Sequence, residues 1–115
     1  RSFLDIGIPI AGSSDYPCGP WNPMIAIESC ATRKTRDGQP LGVGQRITPE
    51  EAIRVYTLGS AYASFDEHER GSIEPGKLAD MVMLSDDPTT CDPESIASIE
   101  TRTTMVGGKV VYSAG

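Results

Sequence analysis

The stretch Ile8-Pro9-Ile10-Ala11-Gly12-Ser13-Ser14-Asp15-Tyr16-Pro17 constrains this chain more than any other. Small and apolar residues of strand character run into Gly12, two serines and one carboxylate follow, and Pro17 stops regular structure from continuing. A run this short and this apolar reads as a strand, Ile8 to Gly12, buried on both faces, with Pro9 near its start where a missing amide proton matters least. A lone strand cannot satisfy its own backbone groups, so it requires neighbouring strands. Asp15 then lies at the carboxyl end of the strand, where α/β proteins hold ligands and metals. The plainer reading of Asp15 is a turn residue that hydrogen-bonds its own backbone, as Asp commonly does after Gly and Ser.

The flanking segments read as follows. Arg1 to Gly7 is the last turns of a helix, closed by Gly7 in a left-handed conformation. Cys18 to Pro23 is an irregular loop ending in Asn22 as N-cap and Pro23 as the first helical residue of a short helix to about Arg33. Trp21 is either a wall of a substrate pocket or a packing anchor for its loop. Lys34 to Arg46, rich in glycine and proline, reads as a mobile surface connection. Thr48-Pro49-Glu50-Glu51 is a capping box that opens a helix to about Phe65. Its apolar residues surround most of the cylinder, which implies burial on more than one side, and Gly59, Ser60 and Ala61 permit close approach of another backbone. Asp66 to Arg70 is a solvated charged patch holding the only histidine, His68. Adjacent residues on such a turn rarely converge on one metal ion.

From Gly71 onward the period becomes that of strands. Pro75-Gly76 suits the centre of a type II turn, and Met81 to Leu84 is a short apolar strand. Asp92-Pro93-Glu94-Ser95 opens a brief helix, and Thr101 to Val106 pairs with Lys109 to Tyr112 across Gly107-Gly108 as a hairpin. Asp80 reads as a turn or strand-edge residue that accepts hydrogen bonds.

A net charge of -6 argues against nucleic acid, since phosphate binding needs a basic face. No apolar run approaches a membrane span and no signal-peptide pattern is present, so a cytoplasmic location is expected. Three widely spaced cysteines, Cys18, Cys30 and Cys91, make neither a zinc knuckle nor a complete disulfide framework. Cys18, near Asp15, is read as a partly buried loop thiol in preference to a ligand or nucleophile.

Four motifs in one order, Gly12 to Pro17, Thr48 to Ala52 with Tyr56-Thr57, Gly71 to Asp80, and Thr104 to Tyr112, resemble the C-terminal part of a metal-dependent amidohydrolase, of the formamide deformylase-like branch. The run Glu74-Pro75-Gly76-Lys77-Leu78-Ala79-Asp80 is the most specific of them. The resemblance implies an α/β plus β fragment. Residues 1–70 would carry the last βα unit of a (β/α) barrel, and 71–115 part of a small β-sandwich, in a family about four times longer than this chain. It implies hydrolysis of carbon–nitrogen bonds in small amide-like substrates with a divalent metal, zinc being expected, and Asp15 as both metal ligand and general base. The family motif has one serine between glycine and aspartate, whereas Ser13 and Ser14 both intervene here. The histidine ligands come from earlier strands, so His68 inherits no role. By this reading the isolated chain is inactive and self-associates or domain-swaps. The alternatives are a non-catalytic α+β interaction module on the same scaffold, and a hydrolase assembled from split chains.

Overall fold

A computed structural model describes residues Arg1–Gly115. The first helix, α1 (Ser2–Asp5), ends at Gly7 with φ at 75°, the left-handed closure its sequence predicts. Helix α2 (Pro23–Thr32) begins where Asn22 accepts a 3.0 Å hydrogen bond from the Met24 amide, with Pro23 in the first turn. The connection that follows is largely exposed, holding one isolated bridge, Lys34 to Pro40, and a 3-10 turn, Val43–Gln45.

The capping box forms in full. The Glu51 amide donates to Thr48 Oγ1 at 3.2 Å, and the Thr48 amide donates to Glu51 Oε2 at 2.8 Å. That amide, and then the Arg1 guanidinium at 2.9 Å from both carboxylate oxygens, hold the Glu51 carboxyl below its ordinary pKa. Helix α3 (Pro49–Arg54) continues into a π-helical turn, Val55–Gly59, and then α4 (Ser60–Ala63) with helical dihedral angles throughout. The helical run stops two residues short of the predicted Phe65, which instead takes φ of 63° and is 88% exposed. Tyr62 is exposed as well, so within this chain only one side of the helix is buried.

The second half forms a three-stranded antiparallel sheet, β1 (Met81–Leu84), β2 (Thr101–Val106) and β3 (Lys109–Ser113), in the order β1-β2-β3. Met81 faces Met105, Val106 faces Lys109, and Gly107 and Gly108 close the hairpin at φ of 54° and 78°. Positive φ at both central positions is the turn whose twist matches the strands. Between β1 and β2 a 3-10 helix, Pro93–Ser98, starts at Asp92, whose side chain accepts from the Glu94 amide at 3.0 Å. This helix leaves the sheet and packs on α2, where Ile96 joins Ile27, Ile47, Ala52 and Val55 in one core. Glu28 reinforces the seam by accepting the Ala97 amide at 2.8 Å.

One expectation fails. Ile8–Gly12 is not a strand here: no segment of this chain lies beside it to form a ladder, and the only sheet is antiparallel and elsewhere. A strand exists only through its partners' backbone groups, and none lie beside this run. Exposure of Ile8 and partial burial of Ile10 are the direct result.

The same shortfall holds for the whole surface. Only nine of 115 residues are buried, and the accessible surface of 7841 Å² compares with about 6,100 Å² for a folded monomer of this mass. The difference is roughly twice what one partner gives to a standard protein–protein interface. The radius of gyration, 14.6 Å, likewise exceeds the roughly 13.3 Å of a compact chain of this length. No helix is long and apolar enough to cross a membrane.

Candidate functional site

Asp15 sits on a turn that its main chain, not its carboxylate, holds together. The amides of Cys18 and Gly19 donate to the Asp15 carbonyl at 2.8 and 3.1 Å, and the Asp15 amide donates to Ser13 Oγ at 3.2 Å. The backbone is left-handed, with φ of 51°, a conformation Asp tolerates better than most residues. Gly19 is required by space, since a Cβ there would lie 2.2 Å from the Ser14 carbonyl oxygen. The carboxylate accepts no hydrogen bond and makes no ion pair within the chain, and the residue is exposed. Self-bonding by the side chain, the plainer reading of this Asp, is therefore not what the turn uses.

The segment leading to Asp15 is docked on the π-helical turn. The Gly12 amide donates to the Val55 carbonyl at 3.0 Å, and Ser60 Oγ donates to the Gly12 carbonyl at 3.0 Å. Tyr56 lays its ring against Gly12, where a Cβ would come within 2.5 Å, and its hydroxyl donates to the Ser13 carbonyl at 3.3 Å. Burial pushes the Tyr56 phenol above its ordinary pKa. Gly59 meets the backbone directly, for a Cβ there would be 2.3 Å from the Ile10 carbonyl oxygen. The close approach expected of Gly59 and Ser60 is thus present, with the Asp15-bearing segment as the visitor.

Other candidates separate cleanly from Asp15. Trp21 is 75% exposed and borders a groove of about 810 Å³ with Met24, Val82, Leu84 and Tyr112, between its loop and the sheet. A second groove, about 290 Å³, is lined by Ser13, Ser14, Asn22, Cys30, Arg33 and Tyr56, and neither Trp21 nor Asp15 lines it. The indole is therefore neither a wall of that groove nor a packed anchor in this chain. His68 is 92% exposed, with Glu67 Oε1 at 3.8 Å as its ionic neighbour.

The most specific motif is architectural. The Lys77 amide donates to the Glu74 carbonyl at 3.2 Å around Gly76, whose φ of 93° fits the type II turn. Lys77 Nζ donates to the Glu67 carbonyl at 2.7 Å and Ser72 Oγ at 2.6 Å. Asp80 Oδ1 accepts the Gly107 amide at 2.7 Å and Oδ2 lies 3.6 Å from Arg70, tying the hairpin turn to the loop, as its sequence position predicts.

Cys18 is exposed, not partly buried as expected. Burial pushes the Cys30 thiol up, and burial with the surrounding aspartates does the same to Cys91. Brief treatment with iodoacetamide near pH 7.5 is expected to alkylate Cys18 well ahead of Cys30, because the thiolate is the reactive form. Peptide mass spectrometry reads the order, and equal labelling of Cys18 and Cys30 contradicts it.

The model of the amidohydrolase family matches residues 1–112. This chain belongs to the amidohydrolase family. Among curated relatives, the N-substituted formamide deformylase of Arthrobacter pascens is 37% identical over 112 residues, covering 97% of this chain and 21% of that protein. The amidohydrolase YtcJ of Bacillus subtilis (strain 168) is 35% identical over 115 residues, covering 97% of this chain and 22% of its own. A crystal structure of an amidohydrolase from Thermotoga maritima MSB8 superposes with a TM-score of 0.72 at 22% identity, over 96% of this chain and 24% of that one. The amidohydrolase chain described here thus spans about a fifth to a quarter of the length of these proteins.

Fit to a divalent metal is partial. The free carboxylate of Asp15 suits one coordination position, but no three His, Cys, Asp or Glu side chains converge anywhere in the chain. A catalytic zinc takes about three protein ligands, so this amidohydrolase segment does not by itself form a complete centre.

Proposed function

We propose that this chain is the C-terminal segment of a metal-dependent hydrolase of small amide-like molecules, with residues 1–70 completing a (β/α) barrel and 71–115 contributing strands to a β-sandwich. Asp15 is its metal ligand and general base. One observation carries the reading: the only carboxylate in the run Gly12-Ser13-Ser14-Asp15, which has one serine more than the family motif, is held out by a main-chain turn with its own oxygens unspent. The N-substituted formamides named for the Arthrobacter relative are the first substrates to test.

The chemistry asked of the chain's own residues is small and definite. Asp15 takes a proton from the attacking water and returns it to the departing amine, one carboxylate serving both transfers because they occur in sequence. Main-chain bonds from Cys18 and Gly19 fix where that carboxylate starts from, and the two preceding residues, Ser13 and Ser14, line a groove of about 290 Å³. A divalent cation, held by Asp15 with donors from outside this chain, supplies the acidity that makes water a nucleophile near neutral pH. The surplus apolar surface, including Ile8, Tyr62, Phe65, Val110 and Tyr112, is what a segment covered by the rest of a larger protein would present.

The deciding experiment is to assay the longer protein containing this segment against a panel of N-alkylformamides, with and without divalent metal. Metal-dependent release of formate and amine supports the reading, and its absence across the panel rejects it. For the isolated 115-residue chain we expect no hydrolysis, dye binding to exposed apolar surface, and self-association by analytical ultracentrifugation. A monodisperse monomer that unfolds cooperatively would instead favour the interaction-module alternative.

A further inference from the structure

We infer that the π-helical turn Val55–Gly59 sets the height of the Asp15 carboxylate, with Tyr56 and Ser60 acting as positioning residues for hydrolysis; this rests on Asp15 being the base. The argument begins with what a π turn does to a helix. Widening the ladder by one residue per turn costs packing and hydrogen-bond geometry, and single π turns accordingly cluster at functional sites. The wider turn splays its carbonyls away from the axis, where a donor outside the helix can reach them. Here the visitor is the Gly12 amide, 3.0 Å from the Val55 oxygen.

The π turn, with Ser60 just after it, grips the visiting segment at Ile10, Gly12 and Ser13. Gly59 presses against the Ile10 carbonyl, Val55 and Ser60 bind the amide and carbonyl of Gly12, and Tyr56 packs on Gly12 and binds the Ser13 carbonyl. Ser60 Oγ is also 3.3 Å from the Val55 oxygen, which links the two bonds into one unit. Asp15 follows two residues after Ser13, and its amide bonds back to the Ser13 side chain. The grip therefore ends where the turn that presents the carboxylate begins. No other part of the chain makes a main-chain hydrogen bond to residues 10–14. A sideways error of about 1 Å in a catalytic group lowers rate by about a hundredfold without touching the chemistry, which is why the grip matters for turnover.

Gly59→Ala would force a methyl into a backbone oxygen and risks unfolding, so the test removes single hydroxyls. In the longer protein, Ser60→Ala and Tyr56→Phe are compared with wild type by hydrogen–deuterium exchange and by hydrolysis of N-butylformamide. Expected are amide exchange in residues 10–19 at least tenfold faster, unchanged exchange in 50–54, and kcat lowered at least tenfold with KM within twofold. Ser60→Thr, which keeps the hydroxyl, is expected to restore both readouts. Unchanged exchange in 10–19 overturns the proposal, and so does faster exchange with unchanged kcat. A wild-type protein with no turnover of any amide overturns the hydrolase reading instead, and is told apart because the variants then have no rate to lose.

Discussion

Asp15→Asn in the longer protein is expected to lower kcat by about 10³-fold with little change in thermal stability. The rate figure lies in the range assigned to a positioned general base, about 10² to 10⁴, and loss of a metal ligand pushes it toward the upper end. Stability should hold because the carboxylate contributes nothing to the turn: its carbonyl accepts from Cys18 and Gly19 and its amide donates to Ser13, all of which Asn retains. Asn also tolerates the left-handed backbone at φ of 51°. The two readouts together discriminate. An inactive variant with an unchanged melting curve identifies a chemical role. An active one rejects Asp15 as the base, and an inactive but unfolded one would mean the carboxylate holds structure after all. Asp15→Glu should rescue only weakly, since one extra methylene moves the oxygens by about 1 Å, the scale of misplacement that costs about a hundredfold.

What the sequence made legible divides along the range of the forces involved. Caps and turns are decided within four residues, and they came through: Asn22 and Asp92 as N-caps, the Thr48–Glu51 box, the Gly76 turn and the Gly107-Gly108 hairpin all appear as their residue types dictate. Asp80 as a hydrogen-bond acceptor also followed, because an acid on a strand edge with no neighbouring acid or imidazole has little else to do. The strand over Ile8–Gly12 did not form, since an apolar run becomes a strand only where another backbone lies beside it, and the chain's one sheet is built from other residues. The π turn left no local signal. Val55, Tyr56, Thr57 and Gly59 are weak helix formers, which does not by itself distinguish a π turn from an α turn, and the segment's contacts are with the Gly12 and Ile10 backbones more than forty residues away. Only its small residues, Gly59 and Ser60, betrayed that something would come close. Tyr56 stood in the sequence as part of a family motif, but its contact with the Asp15-bearing segment did not, because an aromatic at helical spacing reads first as core.

Ile96→Ala is expected to destabilise the protein by about 2 to 5 kcal/mol, the range for deleting a fully buried Ile side chain. Ile96 is 0% exposed and is the largest side chain fully enclosed in the chain. It belongs to the sheet-forming half by sequence and to the helical core by position, packing with Ile27, Ala52 and Val55. The upper half of the range is favoured by its setting, because the 3-10 helix that carries it is tethered at both sides: the Asp92 cap at one end and the Glu28 bond to the Ala97 amide beside it. A tethered segment cannot collapse into the vacated space, and a cavity that persists is what raises the loss. Lys34 and Glu94 pair across the same seam on the surface, but an exposed ion pair adds at most about 1 kcal/mol and does not compensate. Denaturant unfolding of the longer protein measures the effect, with Ser98→Ala on the exposed side of the same turn as the control expected to shift stability by under about 1 kcal/mol. A loss at Ile96 no larger than at Ser98 would mean that the helices and the sheet are not joined through this core. In that case the polar contacts that cross between the halves, Glu28 to the Ala97 amide and Lys77 to the Glu67 carbonyl among them, would be what holds the second half to the helices.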